Sequence, residues 1–467
     1  MRMTDLDLGG MSLEEAEREI YAHIVSRNPE HDFEPTLDRV REACDLLGSP
    51  QDAYKVIHLT GTNGKTSTAR MTESLVREHG LRTGLFTSPH LTTVRERIQI
   101  DGEPIALEDF VRLWLEVAPI IHLVDARATA AGGPRMSFFE VLVVLAFAAF
   151  ADAPVDVAVI EVGMGGVWDA TNVATGEVAV VTPVGLDHQE WLGDSLADIA
   201  AEKSGIIKDG AAVVMAAQSE SVEPVLDAAI EERGARAYRE GEALEVMERQ
   251  PGVGGQLATL RTAAATYTDI FIPLYGPYQA HNALLALAAT ELLLAAGGEP
   301  ASLAGETVEA AFAQVSSPGR LEAVRTAPLI LVDAAHNPHG IEALVSALDE
   351  SFAFETLVGV VGILKDKDAD GILAALEPAL AHVVLTASSS PRAVPVEELE
   401  PLANEIFGED RITVAESLPD AIDAAVQRSE RDSDLGAGVL VVGSITLVAE
   451  ARVLTGADRR KGQGKAR

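Results

Sequence analysis

Short unbroken apolar runs alternate along this chain with longer stretches whose apolar positions recur at helical spacing. Val155 to Val162 and Val178 to Val184 are continuous apolar runs, the pattern of parallel strands covered on both faces. The segment from Val56 to Thr60, Leu81 to Phe86, and Ala211 to Met215 read as further strands. Helical spacing marks 13–27, 36–47, 66–79, Leu107 to Asp125 and Val222 to Arg233. Gly80 stops one of these helices, and Ser195 is placed to cap another that runs to Ile207. Residues 1–12 read as loose and Ala126 to Pro134 as a loop. Phe138 to Ala151 is the most apolar stretch. It is too short to span a bilayer and contains Glu140, so it reads as a buried helix. Alternation and glycines between Ala243 and Pro273 predict antiparallel strands at one sheet edge, followed by a long helix from Tyr278 to Ala296.

Strands alternating with helices predict an α/β fold with a doubly wound, mostly parallel sheet. The pattern then restarts. Leu329 to Asp333, Thr356 to Val361, His382 to Thr386, Ile412 to Val414 and Gly438 to Val442 read as strands with helices between them. Ser316-Ser317-Pro318-Gly319 is the natural hinge. The expected domains are therefore 1–315, a hinge at 316–320, a smaller Rossmann-like α/β domain over 321–455, and a disordered basic tail over 456–467. Two domains also suit a chain of 467 residues, which is too long for one core.

Composition adds three limits. The formal net charge of −36 argues against nucleic acid as a partner. It also requires that any bound phosphate be held by a local cationic cluster such as Lys65, Arg95 and Arg97, which works because exposed charges are screened beyond about 8 Å at physiological salt. A single cysteine, Cys44, excludes an internal disulfide and suits a reducing cytoplasm. Neither a signal peptide nor a membrane span is recognisable, so a cytoplasmic protein, monomeric by default, is expected.

The most informative chemistry lies at Val56 to Ser67, a strand, a turn with Gly61 and Gly64, then Lys65-Thr66 opening a helix. Such a turn cradles phosphates with converging backbone N–H groups and a helix N-terminus. Lys65 would reach the outer phosphates and the Thr66 hydroxyl would bind Mg²⁺. Leu59 occupies the first glycine position of the common P-loop pattern, so this is a variant. Glu161 and the pair Asp187-His188 follow two neighbouring strands, at the edge where open α/β sheets bind ligands. A carboxylate there suits Mg²⁺. Ser88, in Thr87-Ser88-Pro89-His90, offers another oxygen. Lys203 is either a salt-bridge partner of Asp198 or Glu202, or a buried amine able to take up CO₂ as a carbamate. Asp169 has a carboxylate that could accept paired N–H donors from a pterin-like heterocycle, or simply make an Asp–Asn turn. In the second domain Asp333 and His336 stand at a strand end, and Arg320 just past the hinge could steady a transferring phosphoryl group.

Together these motifs resemble the folylpolyglutamate synthase/dihydrofolate synthase family, within the Mur ligase superfamily. The likeness runs from about residue 30 to 455 through GTNGKTS (61–67), SPHL (88–91), SFFE (137–140), EVGMGG (161–166), DATN (169–172), DH (187–188), EKSGI (202–206), HNA (281–283), SPGRLE (317–322), DAAHNP (333–338) and GSITLVAE (443–450). The resemblance implies a P-loop domain of the Mur-ligase central type. It implies ATP binding by Gly61, Thr62, Asn63, Gly64, Lys65, Thr66 and Ser67, with Asn282, Arg320 and Asp333. It implies Mg²⁺ ligation by Ser88, Glu161 and His188 beside Thr66, with room for a second divalent ion or K⁺ and for carbamylation of Lys203. Ser137, Phe138, Phe139, Glu140, Trp168, Asp169 and Ala170 match pterin-side contacts, and His336 an interdomain residue near the triphosphate. Two departures stand out: Thr66 where the family commonly has Gly, and Val167-Trp168 where Arg followed by Leu or Phe is frequent.

The implied reaction joins L-glutamate to dihydropteroate, to a folate such as tetrahydrofolate, or to both, at the expense of ATP and through an acyl phosphate. The competing readings are a folylpolyglutamate synthase alone, a peptidoglycan-precursor ligase, a nucleotide-switched ATPase and a catalytically dead folate-binding module. Only about sixty residues precede the phosphate loop, too few for the extra domain of a peptidoglycan ligase. A switch protein would not need Arg320, Asp333 and His336.

Overall fold

A computed structural model describes residues 11–27, 35–295, 297–432 and 436–457. The residues of 1–12 up to Gly10, and the tail beyond Ala457, lie outside the described residues. The chain forms two compact units. The first comprises the chain to Glu248, with Ala258–Ile270 and His281–Val315; the second comprises Arg249–Leu257, Phe271–Ala280 and the chain from Ser316.

The first unit holds an eight-stranded sheet built from β1 (Lys55–Thr60), β2 (Thr83–Phe86), β3 (Ile98–Ile100), β4 (Glu103–Pro104), β5 (Val157–Glu161), β6 (Val178–Val181), β7 (Ala212–Met215) and β8 (Arg236–Arg239). Its order is β4-β3-β2-β5-β1-β6-β7-β8. From β2 to β8 neighbours run parallel, while β3 and β4 turn back antiparallel. The continuous apolar runs become fully buried β5 and β6, because helices cover both faces of a parallel sheet. Phe138–Asp152 is a helix buried on nearly every side, with Val141 to Phe147 sealed in the core.

Two expectations need correction. The helix expected to end at Asp125 continues to Ala130 despite Pro119; the added turn is mostly exposed, and strong helix formers (Ala126, Arg127, Ala128 and Ala130) carry it. The strands expected at a sheet edge, β9 (Glu245–Gly252), β10 (Gly255–Arg261) and β11 (Thr266–Ile272), instead form a separate three-stranded sheet of order β11-β10-β9. The edge of the large sheet is taken by β8, whose polar, half-exposed sequence carried no strand pattern.

The second unit contains a six-stranded sheet of β12 (Glu322–Thr326), β13 (Leu329–Asp333), β14 (Thr356–Val361), β15 (His382–Leu385), β16 (Ile412–Val414) and β17 (Ala437–Val442), in the order β12-β13-β17-β14-β15-β16. Only β12 is antiparallel. Among the described residues no helix is long and apolar enough to cross a membrane.

Candidate active site

β1 lies between β5 and β6, so the turn leaving it opens at the centre of the sheet edge. Gly61 has φ +138°, and a Cβ there would lie 1.9 Å from Thr182 Oγ1 at the end of β6. Gly64 has φ +90°, and its Cβ would lie 2.6 Å from Asn282 Oδ1. Both glycines are thus required by conformation and by space, and the second places buried Asn282 directly on the loop. Thr62 N–H donates to Pro183 O at 2.9 Å, and its hydroxyl donates to Gly185 O at 2.9 Å. Asn63 is half-buried in the turn, and Ser67 is buried in the first turn of the helix Lys65–Glu78.

Two amines converge on one carbonyl. Lys65 Nζ donates to Gly61 O at 2.9 Å and to Thr62 O at 3.1 Å. Lys203 Nζ donates to the same Gly61 O at 2.8 Å. Lys203 is 4% exposed. Burial, then the charge of Lys65, pulls its pKa down to about 7, against the opposing pull of Asp187, Asp169 and Glu202. The salt-bridge alternative for Lys203 is not what the fold builds. Asp198 caps its own helix through Ser195, and Glu202 Oε1 accepts the Trp168 N–H at 3.2 Å. Gly166 and Gly205 make this junction possible, since a Cβ on Gly166 would lie 2.7 Å from Glu202 O and one on Gly205 2.5 Å from Val167 Cα.

Beside the amines stands a group of oxygens. Thr66 Oγ1 donates to Glu161 Oε1 at 2.8 Å, and Glu161 Oε2 accepts the Ser88 N–H at 3.2 Å. Glu161 is the last residue of β5 and is 2% exposed. A hydroxyl and a carboxylate in contact are a hard-oxygen set of the kind Mg²⁺ takes together with substrate phosphates. His188 adopts a left-handed conformation (φ 53°) at the start of the short helix Gln189–Leu192. Its Nε2 stands 3.9 Å from Asp187 Oδ1. Among the described residues no three His, Cys, Asp and Glu side chains are grouped to hold a metal.

The pterin-side residues occupy two junctions. Ser137 caps the helix Phe138–Asp152 in a reciprocal box with Glu140, whose carboxylate also receives Arg39 Nε at 3.0 Å. Phe139 packs on Phe86 and against Gly163, where a Cβ would lie 2.4 Å from its ring. Phe138 packs edge-on to Tyr21. Trp168 is half-buried and Ala170 buried. Of the two readings of Asp169, the structure builds the turn rather than a free carboxylate. Its oxygens accept Met164 N–H at 2.9 Å, Thr171 N–H at 3.0 Å and Thr171 Oγ1 at 2.5 Å, and Gly163 N–H also holds its charge. Burial raises its pKa, while these four donors lower it. The carboxylate thus organises its own loop, because a buried acceptor takes the nearest orphan N–H groups.

In the second unit Asp333 ends β13 buried, with Oδ2 accepting the Leu321 N–H at 2.6 Å and Oδ1 the Ala335 N–H at 2.7 Å. Burial raises its pKa, and the Arg320 charge is the largest opposing influence. Arg320 N–H donates to Ser317 O at 3.1 Å, and His336 Nδ1 lies 2.9 Å from Ala334 O. Tyr278, which the sequence reading did not single out, is pushed up by burial and by the charge of Asp333. Its signal was its place just ahead of His281-Asn282-Ala283. Glu202 was likewise missed as the residue that holds the Trp168 turn, although it precedes Lys203.

A variant phosphate loop at the centre of a parallel sheet, buried Lys203 and a second α/β unit define a ligase of the Mur type. The description Mur ligase middle domain matches residues 59–290, and Mur ligase, glutamate ligase domain, matches 319–445. The dihydrofolate synthase/folylpolyglutamate synthase of Mycobacterium tuberculosis is 48% identical over 455 residues, covering 93% of each chain. The crystal structure of Mycobacterium tuberculosis folylpolyglutamate synthase complexed with ADP and AMPPCP has a TM-score of 0.90 at 46% identity, covering 95% of this chain and 99% of that one. Escherichia coli FolC in complex with DHPP and ADP has a TM-score of 0.81 at 27% identity, covering 97% and 100%. This chain belongs to the dihydrofolate synthase/folylpolyglutamate synthase family, and it is an ATP-dependent acid–amino-acid ligase.

Proposed function

We propose that the enzyme adds L-glutamate to dihydropteroate and to the γ-carboxyl of tetrahydrofolate. The observation that carries the reading is the convergence of Lys65, Lys203, Thr66 and Glu161 on the turn after β1. An acceptor carboxylate oxygen attacks the γ-phosphorus of ATP. The C–O–P bond forms, the bond to the β-phosphate oxygen breaks, and ADP leaves. The glutamate amine then attacks the acyl carbon, phosphate departs with the C–O electron pair, and the amine proton passes to solvent. Lys65 would release its carbonyls to hold the outer phosphates, and the loop N–H groups would hold the inner ones. Thr66, Glu161, Ser88 and His188 are the proposed Mg²⁺ holders, and the ion when bound would neutralise phosphoryl charge.

With a pKa near 7, Lys203 is partly neutral at physiological pH. Its lone pair can add to CO₂, losing a proton to give a carbamate whose remaining N–H still reaches Gly61 O. Those anionic oxygens would suit a second divalent ion or K⁺. Asn282 on the phosphate loop, with Arg320 and Asp333 of the second unit, are the proposed nucleotide contacts, and His336 is proposed near the triphosphate. Ser137 to Glu140 and Trp168 to Ala170 would wall the acceptor site. The first unit is read as the ATP and folate domain, the second as the glutamate-ligase domain, in a cytoplasmic monomer without nucleic-acid or membrane partners. The test is glutamate- and acceptor-dependent turnover with each acceptor in turn, with product mass as readout. Turnover with tetrahydrofolate alone would reduce the activity to folylpolyglutamate synthesis.

A further inference from the structure

Two arginines follow the Ser88–Leu91 loop, and the fold uses them differently. Arg95 is spent on structure, with Nε on Glu17 at 2.9 Å and a terminal nitrogen on Ile105 O at 3.0 Å. Arg97 is 7% exposed, and its Nε donates to His90 Nδ1 at 2.9 Å. Its guanidinium lies over the Phe138 ring, 5.0 Å from the centroid. Among the described residues nothing accepts from its two terminal nitrogens, yet neither is sealed from solvent.

The nearest carboxylates are occupied elsewhere. Glu96 is bonded to the N–H groups of Leu91, Thr92 and Thr93. Glu161 receives Thr66 and Ser88. Both still act on Arg97 through space, together with Tyr21, while burial pulls its pKa down to about 10, so it stays charged at neutral pH. A buried cation with no carboxylate bonded directly to it is costly, and the backbone fixes this one firmly: Thr87 N–H donates to Arg97 O at 3.1 Å and β3 begins at the next residue.

A guanidinium resting on an aromatic face keeps its edge free for two parallel N–H···O bonds to a planar oxyanion. Resting on the ligase reading above, we propose that Arg97 is the seat for the acceptor's carboxylate, holding it beside Glu161 before it meets the γ-phosphate. A chain of net charge −36 needs such a local cation to admit an anionic acceptor.

The test compares wild type, Arg97→Met and Arg97→Lys with tetrahydrofolate as substrate and its γ-carboxamide as a competitive inhibitor. Arg97→Met should raise the acceptor KM by about 10- to 100-fold, the loss of a charged hydrogen-bond pair. ADP affinity and the KM for ATP and glutamate should hold. The preference of wild type for acid over amide should vanish in Arg97→Met and return in part in Arg97→Lys. The proposal is overturned if a folded Arg97→Met keeps the acceptor KM, if the loss falls on ATP or glutamate, or if acid and amide weaken equally. Should Arg97→Met not fold, Arg97→Lys and the wild-type comparison decide, and equal binding of acid and amide overturns it. Wild type that binds tetrahydrofolate over its amide yet makes no glutamylated product would instead sink the ligase reading while leaving the carboxylate seat.

Discussion

Replacing Gly61 by alanine would drive a methyl group into the end of β6. Its Cβ would lie 1.9 Å from Thr182 Oγ1 and 2.9 Å from both the Cβ and the carbonyl oxygen of that residue. The hydroxyl can rotate only by giving up its bond to Thr60 O at 3.1 Å, and the carbonyl cannot move without the strand. The conformation adds to this, since φ +138° is held without cost only by glycine. Strain there costs about 1–3 kcal/mol, and overpacking costs about 1–3 kcal/mol more. The total, roughly 2–6 kcal/mol, is a large part of the about 5–15 kcal/mol that holds a domain. Urea unfolding followed by circular dichroism reads the loss directly. Because Gly61 O anchors both Lys65 and Lys203, a shift of about 1 Å in the loop should also lower turnover about 100-fold. Adding Thr182→Ala removes the closest contact but leaves the other two, so the pair should couple favourably by about 0.5–3 kcal/mol. Gly61→Ala with wild-type stability and turnover, or strict additivity with Thr182→Ala, would refute the packing argument.

Lys65→Ala should abolish turnover with the urea midpoint nearly unchanged, because the side chain is half-buried and its carbonyl partners, Gly61 O and Thr62 O, lie in its own loop; a wild-type rate would remove it from the phosphate site. The lowered pKa of Lys203 predicts that turnover falls as pH drops below about 7 in CO₂-free buffer and recovers with bicarbonate, with a ¹³C-carbamate resonance missing from Lys203→Ala; indifference to bicarbonate and no such resonance would contradict it. The same shift has a sign for stability. The unfolded amine keeps its proton to 10.5 and the folded one only to about 7, so stability should rise with pH across that window, less steeply in Lys203→Met. Asp169→Ala leaves the Met164 and Thr171 N–H groups unpaired and should cost about 2–4 kcal/mol in urea, with acceptor KM rising more than that for ATP; unchanged stability would restore the free-carboxylate reading.

The phosphate loop was legible because its glycines and Lys-Thr pair sit between an apolar strand and a helix, and local pattern fixes all three. The second sheet was legible for the same reason in β13, β14 and β17, whose apolar runs are buried after the first residue or from it. β8 and β12 were not, since edge strands are half-exposed and their residues carry no alternation to read. The contact of Lys203 with Gly61 joins residues 142 apart, and no periodicity reports such a pairing. Asp169 shows the converse limit. Its type and position fitted a ligand contact, but the loop that follows β5 offers it four donors before any substrate arrives. Arg97 was visible only as part of a cationic cluster, and what separates it from Arg95 is that Arg95 reaches the Glu17 carboxylate while Arg97 Nε reaches the His90 ring.

ATP, an acceptor carboxylate and glutamate are proposed to react in one site. Phosphate release from Mg-ATP should be measured with L-glutamate and either dihydropteroate or tetrahydrofolate, omitting each component in turn. Release is expected only with all three, with a product heavier by one glutamyl unit. Release indifferent to glutamate and acceptor would contradict it and leave a nucleotide hydrolase in its place.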